Sequence, residues 1–197
     1  MIRLTHDLRL LRAPSATYRA LAAGPAVATR RAWLRAGARA AVAAALVGIA
    51  TSVAATERIT WSLAVSGAII WSFAAVVLAI TGAAIILPEG RRVSLPHAIE
   101  LFLVGHGAWS LWLLGAAASV FALSPGAGQD LIALTAFVPA VWTAVVIFWF
   151  CREVLGLDAG QAAMRTAIHQ ALLSLAIVIY VGWAVQLWPR LLSLRIP

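Results

Sequence analysis

The chain has 197 residues, of which 63% are hydrophobic and only 11% charged; its mean hydropathy is +0.95. An average soluble domain is about 45–50% apolar and about 25% charged, so a soluble globule is excluded, and so is disorder, which needs low hydrophobicity. The composition implies an all-α, polytopic membrane bundle. The formal net charge is +8, and all fifteen basic residues are arginine. No basic domain stands apart from the apolar segments, so the charge points to anionic lipid headgroups and not to nucleic acid. A single cysteine, Cys151, cannot form an internal disulfide and reads as a small packing residue.

The first 37 residues form an arginine-rich tail. Leu4, Leu8 and Leu11 share one helical face, with Arg9 and Arg12 turned away from it. Pro14-Ser15 offers a second helix start and Gly24-Pro25 a stop. Two short amphipathic helices are expected, lying on the cytoplasmic leaflet with their leucines in the acyl boundary. Packing on the protein's own cytoplasmic face is one alternative, and an arginine-rich targeting peptide with the single acid Asp7 is the other. The candidate lipid or partner contacts are Arg9, Arg12, Arg19, Arg30 and Arg31.

Residues 38–188 hold five apolar stretches, read against the ~20 residues of a spanning helix. They run from about Ala38 to Ala55, Trp61 to Leu87, Ala98 to Leu123, Leu131 to Cys151 and Ile168 to Trp188. They lack the alternation of a membrane barrel, and a helix satisfies its own backbone in lipid. Pro139 should kink the fourth. In the loop after it, Asp158 and Gln161 have the spacing of a capping box, which predicts a helix from about Ala159. Residues 189–197 are a short tail.

Arginine placement orients the bundle. Eight arginines lie at or before Arg39, and Arg91, Arg92, Arg152 and Arg165 fall on the same side. Only Arg58, Arg190 and Arg195 fall on the other. The positive-inside rule then puts the N-terminus in the cytoplasm and the C-terminus outside. Trp61 and Trp188 fall at the outer boundary and Trp149 near the inner one, as an aromatic belt predicts.

Ionisable residues inside a membrane are functional candidates. His106 is the deepest, flanked by Gly105 and Gly107, with Ser110 one turn later. It can handle protons or a ligand, or simply bond across helices. Glu100 sits a turn inside the third span. It can pair with His97 at i, i+3 and with arginines at that boundary. His169 is read as starting the fifth span, about 10 Å from the depth of His106, which argues against a haem between them. No cofactor or metal set is assigned. Small-residue spacings such as Ala44-x-x-x-Gly48 and Gly48-x-x-x-Ser52 permit close helix approach. No P-loop, nucleophile elbow, zinc-protease or Cys-x-x-Cys motif is present, and no enzyme activity is inferred.

The tail Leu11-Arg12-Ala13-Pro14-Ser15-Ala16-Thr17-Tyr18-Arg19-Ala20-Leu21 is similar to the opening of bacterial Yip1-like integral membrane proteins. The segment from Val154-Leu155-Gly156-Leu157-Asp158 to Ala162 also resembles theirs. The Asp-Leu-Tyr-Gly-Pro element of eukaryotic members is absent, so the resemblance carries no vesicle-trafficking role. It implies a five-span, non-enzymatic protein of a bacterial plasma membrane that organises other components through lipid and helix contacts. Its partners would be anionic lipids and other membrane proteins or further copies of itself. The alternative expectation is a small transporter, or a subunit of a membrane complex, with a pathway near His106 and Glu100.

Overall fold

In the computed structural model, residues 4–24, 28–87, 93–122, 131 and 134–193 are described. Among them every regular element is a helix. The arginine-bearing loop at 91–92 and Arg195 lie outside the described residues, as do the side chains of Trp188 and Arg190.

Two short helices come first, α1 (Leu4–Arg12) and α2 (Pro14–Ala22). Proline opens α2 because the first helical residue needs no N–H donor. Helix α3 (Thr29–Thr56) begins well before the apolar run expected at Ala38, so the boundary at residue 37 falls inside a continuous helix. Helix propensity carries it back through Arg39, Arg35 and Arg31, since arginine and alanine both favour helix. Glu57 ends α3 in the left-handed region at φ 55°, and the chain turns back. Ser52 fastens this turn: its hydroxyl donates to the Arg58 carbonyl at 3.0 Å and accepts from the Thr60 N–H at 2.8 Å.

The return path is α4 (Trp61–Ile70) and α5 (Ser72–Ile86), interrupted only at Trp71. Next come α6 (Leu95–Val104) and α7 (Gly107–Ala122), separated by Gly105 and His106. Then follow α8 (Phe137–Glu153) and α9 (Ala159–Ser193). The expected disturbance at Pro139 appears as a turn at Ala136, immediately before α8, where a proline N–H is missing and its ring crowds the preceding turn. The predicted capping box is formed: the Gln161 N–H donates to Asp158 Oδ1 at 2.8 Å, and the Asp158 N–H to Gln161 Oε1 at 3.3 Å.

Four helical segments are long and apolar enough to cross a membrane: Thr29–Val53, Trp61–Ile86, Leu95–Ala122 and Ala159–Ile179. Helix α8, with 17 residues, is shorter. The outer faces carry large apolar side chains in the open, among them Val65, Ile69, Val76 and Ile80 on the second segment and Leu175, Val178 and Ile179 on α9. Such stripes are far more than a soluble surface exposes.

The core lies toward one end of the bundle. Leu10, Tyr18, Ile86, Leu101, Phe102, Ile147, Phe150 and Leu155 form its centre. Helices α1 and α2 therefore pack on the bundle through Leu10 and Tyr18, both essentially fully buried, while Leu8 is exposed and Leu11 half-buried. This is the self-packed arrangement, not a tail lying free on lipid.

Candidate polar site within the helical bundle

Two polar clusters form inside the bundle and one at its N-terminal end. At the end, the Tyr18 hydroxyl donates to the Leu101 carbonyl at 3.2 Å, and its ring meets Phe150 edge-on at 5.8 Å. Gly105 makes the room, because a Cβ there would come within 2.9 Å of the Tyr18 hydroxyl. At the next residue, Arg19 grips Glu153 with two donors, Nη2 to Oε1 at 2.8 Å and Nε to Oε2 at 3.1 Å. The Ser15 hydroxyl adds a third bond to Oε1 at 2.8 Å. Arg19 is thus committed to the protein itself. Arg9, Arg12, Arg30 and Arg31 remain exposed. Arg30 and Arg31 occupy the first turn of α3, where the helix dipole disfavours cations, so helix stability does not explain them.

Glu100 is buried, and its partners are Arg35 and His97. Arg35 Nη1 stands 3.4 Å from Oε1, and His97 Nδ1 stands 3.3 Å from Oε2. The i, i+3 contact with His97 was expected. The cation among the described residues is Arg35 of α3; Arg91 and Arg92 lie outside the described residues. A carboxylate removed from water needs such a partner, and the pair is retained where extra hydrogen bonds satisfy it. Arg165 is engaged elsewhere, its Nη1 donating to the Ile85 carbonyl at 2.7 Å.

The second internal cluster corrects an expectation. His106 and His169 are not separated in depth; their Nε2 atoms lie 3.4 Å apart. The rings are nearly perpendicular, with centroids 5.5 Å apart, and Phe102 meets both edge-on. The error lay in counting from the apolar run. Helix α9 starts at Ala159, so His169 lies ten residues inside it, and His106 lies eleven past Leu95. His106 Nδ1 also reaches the Phe102 carbonyl at 3.1 Å, across the break between α6 and α7. Ser110 is half-buried and, among the described residues, bonds to neither His106 nor Glu100.

Sequence reasoning named Glu100 and His106, set His169 at a different depth, and missed Arg35 and Tyr18. For Arg35 a signal existed: it lies six residues into α3, as Glu100 lies five into α6, so the two share a depth. Among the described residues no group of three or more His, Cys, Asp or Glu could hold a metal ion. No family model, curated protein or solved structure matches the chain.

Proposed function

We propose that this chain is a non-enzymatic, five-span protein of a bacterial inner membrane, of Yip1-like type, that organises membrane components through lipid and helix contacts. In this reading the N-terminus is cytoplasmic and the C-terminus outside. A fifth crossing by α8 is supported by its length: 17 residues rise about 26 Å at 1.5 Å each, at the short end of the ~17–25 residues that span a bilayer.

The observation that carries the reading is the docked N-terminal pair of helices. Tyr18 and Arg19 hold it on the bundle, while Arg9, Arg12, Arg30 and Arg31 stay exposed. This makes a rigid, cationic plate at one end of an apolar bundle, suited to anionic headgroups. Each arginine near such a surface contributes about 1 kcal/mol, and the attraction falls off within a Debye length. The test uses the full chain in vesicles of mixed phosphatidylglycerol and phosphatidylcholine, with spin-labelled lipids reporting the boundary layer. Wild type is expected to enrich the anionic lipid. Replacing Arg9, Arg12, Arg30 and Arg31 with Gln is expected to abolish the enrichment, and unchanged enrichment removes the lipid role.

The transporter reading draws on the contact between His106 and His169. One groove, between α5 and α9, reaches His169 of that pair.

A further inference from the structure

The groove between α5 and α9 has a volume of about 270 Å³. One contact sets its register: Arg165 Nη1 donates to the Ile85 carbonyl at 2.7 Å. Ile85 is the last residue but one of the apolar Trp61–Ile86 segment, and Arg165 is the seventh residue of the Ala159–Ile179 segment. Arg165 lines the groove, so a cation is pinned there near an end of both segments. From that level the groove follows α9 past Ile168 to Leu172. These lie about 5 Å and about 10 Å further along the helix, at 1.5 Å per residue.

The walls change character along that line. At the Arg165 level stands a guanidinium, which keeps its charge at any physiological pH. Met164, Ile168 and Leu172 flank the groove on α9 and are exposed on the outer face of the bundle. On the α5 side the rim is Ala84, which is exposed and small. The groove is therefore open sideways, onto whatever surrounds the bundle, along its apolar length.

A cation at the boundary, followed inward by an apolar and laterally open channel, matches the order of charge and chain in a phospholipid. Other occupants match it less well. A helix about 10 Å across would place only about two residues in this volume, so docking of a second copy through a helix does not fit. A soluble phosphate makes no use of the exposed apolar wall. A zwitterionic headgroup brings its own ammonium toward the guanidinium, whereas a net-negative headgroup brings only attraction. We propose that this groove holds one anionic phospholipid, with its phosphate at Arg165 and one acyl chain lying along Ile168 and Leu172.

This inference rests on the membrane-spanning reading but not on the cationic plate, and the experiment separates the two. The full chain is placed in phosphatidylcholine nanodiscs doped with phosphatidylglycerol that carries a diazirine midway along an acyl chain. Crosslinks are mapped by peptide mass spectrometry. Wild type is expected to be labelled saturably within residues 164–172. Unlabelled phosphatidylglycerol is expected to compete about fivefold better than phosphatidylcholine, the factor that one arginine beside an anionic headgroup supplies. Arg165→Gln is expected to remove that preference. Ala84→Trp fills the groove from its exposed rim and is expected to abolish the saturable labelling. Replacing Arg9, Arg12, Arg30 and Arg31 with Gln is expected to leave it intact, since none of them lines the groove. Equal competition by the two lipids, or labelling that never saturates, marks ordinary boundary lipid and overturns the proposal. So does labelling unchanged by Ala84→Trp, labelling lost with the four plate arginines, or displacement by an equal concentration of glycerol 3-phosphate. Boundary-layer enrichment that persists without groove labelling overturns the groove alone.

Discussion

At the residue scale, Glu153 ties the N-terminal helices to the bundle. Its carboxylate takes two bonds from Arg19 and one from Ser15. The Arg19 hydrogen bond is the main reason its pKa lies below the ordinary carboxylate value, and partial burial opposes that shift. A carboxylate whose pKa is lowered by folding contributes stability above its unfolded pKa, about 4.3, and loses that contribution as the pH falls through the folded value. The Arg19 side chain is 69% exposed, so solvent screens the pair and the effect is small. Thermal unfolding of wild type and Glu153→Gln in one detergent is expected to give a constant gap at neutral pH. The gap should close as the pH drops below the carboxylate range. A gap that persists at pH 3 would mean that Glu153 acts through shape and not charge.

At the element scale, the α3–α4 hairpin depends on the absence of a side chain at one position. A Cβ on Gly48 would fall on the Ala64 carbonyl oxygen, which is backbone and cannot swing aside. The small-residue spacing in α3 thus serves packing within one chain. Gly115, by contrast, has nothing within 4 Å of its would-be Cβ. Gly48→Ala is therefore expected to destabilise by about 1–3 kcal/mol, the usual range for overpacking. Gly115→Ala should be neutral or stabilise by up to about 1 kcal/mol through reduced backbone freedom. Denaturant titration in detergent checks both, and equal effects would contradict the close approach. The same contrast marks what the sequence made legible. The capping box at Asp158 and Gln161 and the proline start of α2 are local signals, complete within a few residues, and each appears where expected. The pairs Arg35–Glu100 and His106–His169 are not local. They depend on where each helix begins: a charged first turn hid the start of α3, and in α9 the capped start at Ala159 was legible but depth was counted from the apolar run at Ile168. The hydrophobic run marks the apolar stretch of a helix, but depth is counted from its first turn.

At the scale of the whole molecule, the ends of the bundle differ. Leu10, Tyr18, Phe102 and Phe150 cluster near the docked N-terminal helices, and the Glu100 and Glu153 ion pairs lie at the starts of α3 and α6 and the end of α8. The opposite end is closed by the short turn around Glu57 and Arg58. Helix α8 extends from the first of these ends toward the second. Just before its first residue, Thr135 accepts from Trp112 Nε1 at 3.0 Å, well along α7; its last residue, Glu153, meets Arg19. Those two contacts carry α8 from the end that holds Arg19 to the level of Trp112, past the middle of the Leu95–Ala122 segment, a reach in keeping with the proposed fifth crossing. Single-cysteine labelling separates five crossings from four. In a Cys151→Ala background, Arg12→Cys, Ile59→Cys and Ala159→Cys each place a thiol at an exposed position. Five crossings require Arg12→Cys and Ala159→Cys to react only from the cytoplasmic side of sealed vesicles, and Ile59→Cys only from the other. If α8 does not cross, Ala159→Cys reacts from the same side as Ile59→Cys, and α2 could not then touch both Leu101 of α6 and Glu153 at the end of α8. Labelling of Ala159→Cys together with Ile59→Cys would therefore overturn the topology and the docked plate at once.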